Sequence, residues 1–331
     1  MGNAESSTVG EKSCQLRLVK TLWGIDDPVS PELFKSIKKE GYHGVEVIRL
    51  NWILDENNKS RDVLVHALNE AGLGCVTQIH TSGGYIDDDS GEYVYCGAYD
   101  VAVHQEDFKK QLRECKELLN LVNQGGFVNV HAGLDAWSND EVVRFLEFCF
   151  EEIEQTTPDI TVVFETHRQR IFGSPFQTRE LLALPSLSES KYLKLNADLS
   201  HWYCACERIF NPKDEDRDKW WPGVLKSIAP RCEYIHARFG WAQGPQMADP
   251  STPECEKDRN LQIQIWKELM KEQQKRTTHV GGAREVFVSP EYGPAPYLTL
   301  TPYTQEPVAS LPAAVSYTKK VIEDLFEESI N

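Results

Sequence analysis

Long hydrophobic runs are missing from this 331-residue sequence. No uninterrupted apolar segment approaches the roughly 20 residues that a membrane-spanning helix needs. Basic residues are also scarce, because 35 Lys and Arg stand against 51 Asp and Glu and leave a formal net charge of −16. A surface this acidic repels the phosphate backbone of DNA and RNA. We therefore expect neither a transmembrane segment nor a nucleic-acid partner.

Cysteines in a regular or paired spacing are missing as well. The nine cysteines are odd in number and scattered through apolar stretches, and the only close pair is Cys204 and Cys206. A zinc ribbon needs a second such pair, and a secreted disulfide framework follows an apolar signal segment that this sequence does not show at its start. The pattern predicts reduced thiols in a cytoplasmic protein.

The first six residues, Met1 to Ser6, match the pattern for N-myristoylation, with Gly2 as the acceptor after removal of Met1. A single acyl chain binds membranes weakly and reversibly. This prediction therefore adds weak peripheral membrane association to the cytoplasmic assignment. The alternative is a disordered polar tail over residues 1–14. In both cases residues 15–331 are expected to form one catalytic domain.

Short β-rich runs alternate with helical patterns along the rest of the chain. The predicted strands are residues 16–23, 43–48, 74–80, 127–131, 160–165, 192–198, 232–236 and 285–291. The predicted helices are residues 31–39, 61–71, 105–122, 139–155, 178–184, 221–228, 260–274 and 311–327. Strict alternation implies a parallel sheet with helices outside it, and eight units predict a single α/β domain, a (β/α)8 TIM barrel. An open doubly wound sheet is the alternative, but no glycine-rich phosphate turn follows the first strand.

Local signals support several of these boundaries. Ser30 with Pro31 begins one helix, and Ser138 with Glu141 forms the capping-box pattern of another. Residues 83–104 and 239–258 are longer than ordinary loops and follow the third and seventh strands. They therefore belong to the face of a barrel on which catalytic loops lie. Residues 293–305 are expected to form a lid over that face.

Polar side chains are concentrated where the predicted strands end. Five of the nine histidines lie there: His80, His131, His167, His201 and His236. Charged groups that converge on a barrel axis are costly to desolvate unless they pair or bind a cation. Glu165, Asp198, His236 and Glu291 come from strands five to eight, and three carboxylates with one imidazole suit Mn²⁺, Mg²⁺ or Co²⁺, while Zn²⁺ also fits. Taken singly, each residue is more typical of a salt-bridged or hydrogen-bonded structural group.

Four runs in order along the chain make the pattern more specific. They are FETHR (164–168), NADLSHW (196–202), IHAR (235–238) and PEYGP (290–294). Together they resemble the xylose isomerase-like TIM-barrel superfamily, and within it the sugar phosphate isomerase/epimerase branch, over roughly residues 15–328. A second glutamate of the ketose epimerases, expected a few residues after Glu165, is replaced here by Gln169, Arg170 and Ile171. This difference argues against ketohexose epimerase activity.

The resemblance implies roles for individual residues. The matching Glu165, Asp198, His236 and Glu291 would hold the metal. His201 would contact a substrate hydroxyl or carbonyl, and Arg238 resembles a substrate-binding arginine. Further side chains at the strand ends are expected to contact the substrate: His80, His131, His167, Arg168 and Trp202. Barrels of this family often dimerise, which implies a homo-oligomer.

The family chemistry is proton transfer beside a carbonyl group. The resemblance implies an isomerase or epimerase of a sugar or polyol-derived carbonyl compound. In this reaction Glu165 and Glu291 remove and return the proton of a metal-stabilised enediolate. A dehydratase that acts on an inosose-like keto-polyol stays open, since the same intermediate can lose a hydroxyl group. An apurinic endonuclease and a non-catalytic barrel are the remaining alternatives. Gly281 and Gly282 precede the last strand, on the wrong face for a phosphate site, and favour a non-phosphorylated substrate.

Overall fold

Eight parallel strands close into a barrel in the computed structural model. The structure describes residues 14–25, 28–47, 59–81, 85–86, 93–94, 98–275 and 284–330. The barrel strands are β1 (Cys14–Thr21), β2 (Gly44–Val47), β3 (Gly74–His80), β6 (Gly126–His131), β7 (Val162–Glu165), β8 (Leu195–Ala197), β9 (Cys232–His236) and β10 (Arg284–Ser289). They follow one another around the barrel in chain order, and β1 pairs with β10 to close it. The predicted (β/α)8 fold is therefore confirmed.

Helices surround the barrel strands. They are α1 (Pro31–Lys39), α2 (Lys59–Ala71), α3 (Val101–Leu119), α4 (Asn139–Thr156), α5 (Pro175–Leu182), α6 (Pro185–Ser188), α7 (Ser200–Ala205), α8 (Trp221–Ile228), α9 (Glu256–Gln274) and α10 (Leu311–Ile330). Short 3₁₀ helices cover Ala229–Arg231 and Pro253–Cys255. None of the described helices is both long enough and apolar enough to cross a membrane.

The predicted helix starts depend on specific hydrogen bonds. The Ser30 hydroxyl accepts from the Leu33 amide at 3.3 Å and begins α1. At the start of α4, the Glu141 carboxylate accepts from the Ser138 amide at 2.8 Å, while the Ser138 hydroxyl accepts from the Glu141 amide at 3.4 Å. Each bond satisfies a backbone N–H that has no partner inside its helix. The capping signals therefore identify these helix starts correctly.

The segment after β3 differs most from the sequence-based expectation. It contains a two-stranded antiparallel pair, β4 (Tyr85–Ile86) and β5 (Tyr93–Val94). Helix α3 begins at Val101 because the Asp100 carboxylate caps it, accepting from the Ala102 amide at 2.9 Å. His104 consequently lies in a helix rather than in a long loop. Gly2 and the pair Gly281–Gly282 lie outside the described residues.

Side chains that point into the barrel form layers. The lowest layer is an apolar cluster of Val19, Val76, Phe127, Val163 and Tyr234. Successive side chains of a strand point to opposite faces, so the next inward position lies two residues further on. The inward positions above the apolar layer are polar and buried: Glu46, Gln78, Asn129, Glu165 and His236. The barrel axis thus changes from apolar to ionisable toward the C-terminal strand ends.

Candidate metal centre

The four side chains expected to bind metal meet at the C-terminal end of the barrel. Glu165 and His236 end β7 and β9, while Asp198 and Glu291 follow β8 and β10 directly. The Nδ1 atom of His236 lies 3.3 Å from Glu291 Oε2, 3.6 Å from Glu165 Oε2 and 3.9 Å from Asp198 Oδ2. All four side chains are buried. Residues from four strands are therefore gathered around one ring nitrogen.

A fifth ionisable residue, Glu46 on β2, completes the base of this cluster. Its Oε2 atom is 2.9 Å from His236 Nε2 and accepts a hydrogen bond from the Tyr234 hydroxyl at 2.9 Å. Its Oε1 atom accepts from Gln78 Nε2 at 3.0 Å and from Asn129 Nδ2 at 3.3 Å. A carboxylate facing Nε2 favours the tautomer that carries its proton there, which leaves Nδ1 free to act as a ligand.

Arg238 brings a permanent positive charge to the cluster. Its guanidinium group hydrogen-bonds to Asp198 Oδ2 through Nη2, and its Nη1 lies 3.1 Å from Glu291 Oε2. Its Nε donates to the Ser200 hydroxyl at 3.1 Å, and Nη2 lies 2.9 Å from His201 Nε2. Arg238 is 2% exposed. The arginine expected to bind substrate is therefore placed against two of the expected metal ligands.

Negative charge exceeds positive charge within the cluster. Burial, together with Glu291 and Glu165, raises the pKa of Asp198 to about 7 despite its contact with Arg238. Burial opposes ionisation of Glu291 too, but His236 and Arg238 outweigh it and lower the pKa of Glu291 to about 2. Burial alone would lower the pKa of His236, yet the surrounding carboxylates raise it well above its usual range. Asp198 or His236 therefore holds a proton at neutral pH, because the cluster has too little positive charge to balance its carboxylates.

The residues present fit a divalent cation. Glu46, Glu165, Asp198 and Glu291 carry four negative charges when ionised, against one positive charge on Arg238 and at most one on His236. With His236 neutral, as a ligand must be, the excess is three negative charges, of which one divalent ion offsets two. In addition, His236 Nδ1 and Glu291 Oε2 are buried, face each other and make no hydrogen bond to the described residues, although the Arg238 guanidinium forms an ion pair with Glu291 Oε2. Asp198, His236 and Glu291 place their ligand atoms within 4.8 Å of one another.

Four histidine rings form a row beside the cluster. His80 stacks on His131 at 4.1 Å between ring centroids, because these residues are register partners on β3 and β6. The row continues from His131 to His167 at 4.8 Å and from His167 to His201 at 3.8 Å. Burial lowers the pKa of His167 to about 3 and that of His201 well below its usual range. Neutral imidazoles can donate to or accept from sugar hydroxyl groups.

Tyr297 and Arg168 border this row of histidines. The Tyr297 ring lies 5.0 Å from the Arg238 guanidinium carbon and 5.3 Å from that of Arg168. The Tyr297 hydroxyl is 3.4 Å from His167 Nε2. Tyr297 belongs to the segment expected to form a lid, so one side chain of that segment reaches the strand-end histidines.

Trp202 requires a correction to the sequence-based expectation. It is fully buried within the hydrophobic core, and its indole N–H donates to the Phe172 carbonyl at 2.8 Å. Its ring packs edge-on against Trp221 of α8, with the centroids 6.3 Å apart. Trp202 therefore packs among core side chains, and its position does not support the expected contact with substrate.

Sequence reasoning missed the polar residues that hold the cluster from below. Asn129 Nδ2 donates to Glu165 Oε2 at 2.6 Å, and Asn196 Nδ2 donates to the same atom at 3.3 Å. Glu46 was missed because only the last residues of each predicted strand were considered. The available signal was a single carboxylate between Val45 and Val47 in a short apolar strand. A charged residue in such a strand has to be compensated inside the fold.

Comparisons with known proteins agree with this architecture. No protein-family model and no curated protein sequence matches the chain. Among solved structures, endonuclease IV from Thermus thermophilus has a TM-score of 0.53 at 12% identity over 95% of this chain and 99% of that chain. The 3-keto-D-glucoside 4-epimerase from E. coli has a TM-score of 0.51 at 12% identity, with coverage of 95% and 100%. The IolI protein with a zinc atom has a TM-score of 0.53 at 14% identity, with coverage of 95% and 99%.

At these identities the similarity concerns the fold alone. The similar structures cover nearly the whole chain and include enzymes of different reaction classes. The resemblance found in the four sequence motifs is confirmed at the level of architecture. The chain shares the (β/α)8 barrel fold of these structures, and a xylose isomerase domain protein from Alicyclobacillus acidocaldarius has a TM-score of 0.52 at 13% identity, with coverage of 96% and 100%.

Proposed function

We propose that this protein is a divalent-metal-dependent isomerase or epimerase of a sugar or polyol-derived carbonyl compound. The observation that carries the proposal is the convergence of Glu165, Asp198 and Glu291 on the Nδ1 atom of His236. Three carboxylates and one imidazole form a mostly hard donor set, which suits Mn²⁺, Mg²⁺ or Co²⁺ and also admits Zn²⁺. A bound ion supplies Lewis acidity, which stabilises negative charge on substrate oxygens.

Glu165 and Glu291 are the groups proposed to move the proton. They come from strands separated by β8 and β9, so they approach the cluster from different sides. Although burial opposes ionisation, His131 and His236 lower the pKa of Glu165 well below its usual range. The pKa of Glu291 is lowered to about 2. Both groups are consequently carboxylates at neutral pH, the form that accepts a proton from carbon.

Arg238 and the histidine row would bind and orient the substrate. The guanidinium group of Arg238 has five N–H donors, and its contacts with Asp198, Ser200 and His201 hold it at the edge of the cluster. His201 Nδ1 makes no hydrogen bond to the described residues and would bind a hydroxyl group of the substrate. The burial of the cluster restricts water, which strengthens each of these polar interactions.

Metal analysis followed by solvent deuterium exchange tests the proposal. The purified protein is first analysed for bound metal and then incubated in D₂O with a panel of ketoses, aldoses and inososes. Deuterium at a carbon next to the carbonyl supports proton transfer, and the product distinguishes isomerisation from epimerisation. Loss of water from the substrate would instead assign the dehydratase alternative. Absence of both metal binding and exchange would overturn the proposal.

Two conservative variants test the assigned bases. Glu165→Gln and Glu291→Gln keep the size of the side chain but remove the carboxylate that accepts the proton. We expect exchange to fall by at least about 100-fold in each, because one positioned acid or base contributes roughly 10²–10⁴-fold. Near-normal exchange in either variant, with metal retained, would remove that residue from the mechanism. Glu152→Gln, on α4, is the matched control for loss of a buried carboxylate.

A further inference from the structure

Arg168 differs from the other arginines that are at least half-buried in the described part of the chain. It reaches only the Cys204 thiol, with 3.9 Å between Nη1 and Sγ, and the Tyr297 ring at 5.3 Å. The other such arginines each contact a carboxylate or a backbone carbonyl: Arg17, Arg61, Arg170, Arg208, Arg231, Arg238, Arg259 and Arg284. A thiol is a weak acceptor, so the donors of Arg168 are poorly satisfied.

The described surroundings of Arg168 supply no ion pair. Along the chain, Arg168 follows His167, whose ring lies in the histidine row. The carboxylates that contact that row have other partners: Glu165 lies 3.1 Å from His131 Nε2 and accepts from Asn129, and Asp198 contacts Arg238. Among the described residues, no carboxylate lies within 4 Å of the Arg168 guanidinium. Within the described part of the chain, Arg168 is thus a cation without an ion pair at the border of the site, in a chain whose net charge is −16.

We infer that Arg168 binds the carboxylate group of a sugar acid, so that the substrate of the proposed enzyme is anionic. The inference rests on the proposed function and adds the substrate class to it. The planar guanidinium matches a carboxylate through two parallel hydrogen bonds, and the charge makes these bonds stronger than those to neutral acceptors. The Tyr297 hydroxyl, which lies 3.4 Å from His167 Nε2, borders the same position and can donate one more bond.

In this arrangement, the residue that binds the substrate's carboxylate is distinct from the residues that act on its carbonyl group. Arg168 lies three residues beyond Glu165, at the side of the cluster bordered by Tyr297, and is not among the four metal-binding candidates. A carboxylate held there fixes one end of the sugar, while its carbonyl end faces the carboxylates of the cluster. A phosphate ester carries the same kind of charge, but a dianion needs more donors than this arginine and one tyrosine supply.

Binding measurements on paired ligands test the inference. The metal-loaded wild-type protein is titrated calorimetrically with D-glucuronate, D-glucose and glucose 6-phosphate, and with two further hexuronates and their neutral hexoses. We expect each preferred acid to bind at least tenfold more tightly than its neutral counterpart. Arg168→Met should weaken acid binding by about 10- to 100-fold and leave neutral sugars unchanged. Arg168→Lys should retain part of the preference, since it keeps the charge without the planar fork.

Arg179→Met is the matched control. Arg179 also stacks on an aromatic ring, at 5.9 Å from Phe176, and has no ion pair among the described residues, but it lies on α5. The Arg179→Met variant should bind every ligand with the same affinity as the wild type. Equal binding of acids and neutral sugars by the wild type, unchanged acid binding by Arg168→Met, or tighter binding of the phosphate ester would each overturn the assignment.

The two proposals fail in different ways. Deuterium exchange without any preference for acids would remove the inference about Arg168 and leave the isomerase proposal intact. Preferential, Arg168-dependent binding of acids without deuterium exchange would remove the isomerase proposal and leave the binding role of Arg168 intact. Glu165→Gln separates the two further, because we expect it to lower exchange by at least about 100-fold while the preference for acids over neutral sugars is kept.

Discussion

Glu46 and His236 lie 190 positions apart in the sequence and are joined by a contact of 2.9 Å between Oε2 and Nε2. The contact links β2 to β9 across the interior of the barrel. It turns the ring so that Nδ1 faces Glu165, Asp198 and Glu291. A carboxylate behind a ligating histidine fixes both the orientation of the ring and its tautomer.

Replacing Glu46 should therefore weaken metal binding without removing a ligand. We expect Glu46→Gln to reduce metal affinity by about 10- to 100-fold, the usual effect of losing such a supporting carboxylate. Competition with a chromogenic chelator measures the affinity directly, independently of activity. Glu152→Gln serves again as the control, since Glu152 is 8% exposed and pairs with Lys109 on the outer helices. Equal affinities for Glu46→Gln and the wild type would show that Glu46 has no role in positioning His236.

The start of β6 leaves no room for a side chain. A Cβ atom at Gly126 would lie 1.7 Å from the backbone oxygen of Cys75 on β3. Gly126→Ala should lower the free energy of unfolding by about 3 kcal/mol or more, because the clash can be relieved only by separating two paired strands. Urea denaturation measures the change.

A second glycine provides the comparison for this prediction. Gly223 lies in α8, and a Cβ atom built there meets nothing within 4 Å. Gly223→Ala should stabilise the protein by up to about 1 kcal/mol, the difference in helix propensity between the two residues. Similar effects of both substitutions would contradict the close approach between β3 and β6.

The buried His104 should make stability depend on pH. Its Nε2 donates to the Ala98 carbonyl at 2.7 Å, and its Nδ1 lies 3.0 Å from the Thr81 hydroxyl. Burial lowers the pKa of His104 below the usual 6.5. The unfolded chain therefore binds a proton that the folded protein does not, and stability falls as the pH decreases below about 6.5.

Urea titrations at pH 7.5 and pH 5 test this prediction. His104→Gln should lose less stability than the wild type over that interval, since one of the protons taken up on unfolding is gone. His66→Gln is the control, because the His66 side chain is 77% exposed and should leave the pH dependence unchanged. An identical pH dependence in His104→Gln and the wild type would contradict a neutral, buried His104.

Cysteine labelling should divide the thiols into two groups. The structure describes eight free cysteines, and Cys96 lies outside the described residues. Four are buried: Cys75, Cys115, Cys149 and Cys232. Burial raises the pKa of Cys115 to about 12, so its reactive thiolate is rare at neutral pH.

We expect iodoacetamide at pH 8 to modify the buried thiols only after denaturation. The four half-buried cysteines, Cys14, Cys204, Cys206 and Cys255, should react in the folded protein, although slowly where burial also raises the pKa. Peptide mass spectrometry after timed labelling gives the rate at each position. Rapid modification of Cys75 or Cys115 in the folded protein would contradict the packing of β3 against its neighbours.

The order of the elements can be read from the sequence alone. Alternating β-rich and helical patterns, together with caps such as Ser30 and Ser138, depend on neighbours in the chain, so they can be read without coordinates. Eight repeats then restrict the topology to a barrel, which places the strand ends on one face. That reasoning brought Glu165, Asp198, His236 and Glu291 together.

Which polar groups face one another depends instead on how the strands pack in three dimensions. Glu46 contacts His236 across the barrel because both point inward from non-adjacent strands, and local sequence does not encode the shear that sets their heights. The same reason applies to Arg238, which contacts Asp198 and Glu291, and to Arg168, which forms no ion pair with the residues that the structure describes. Charge pairing depends on distances of a few ångströms, and these are fixed by how the barrel closes.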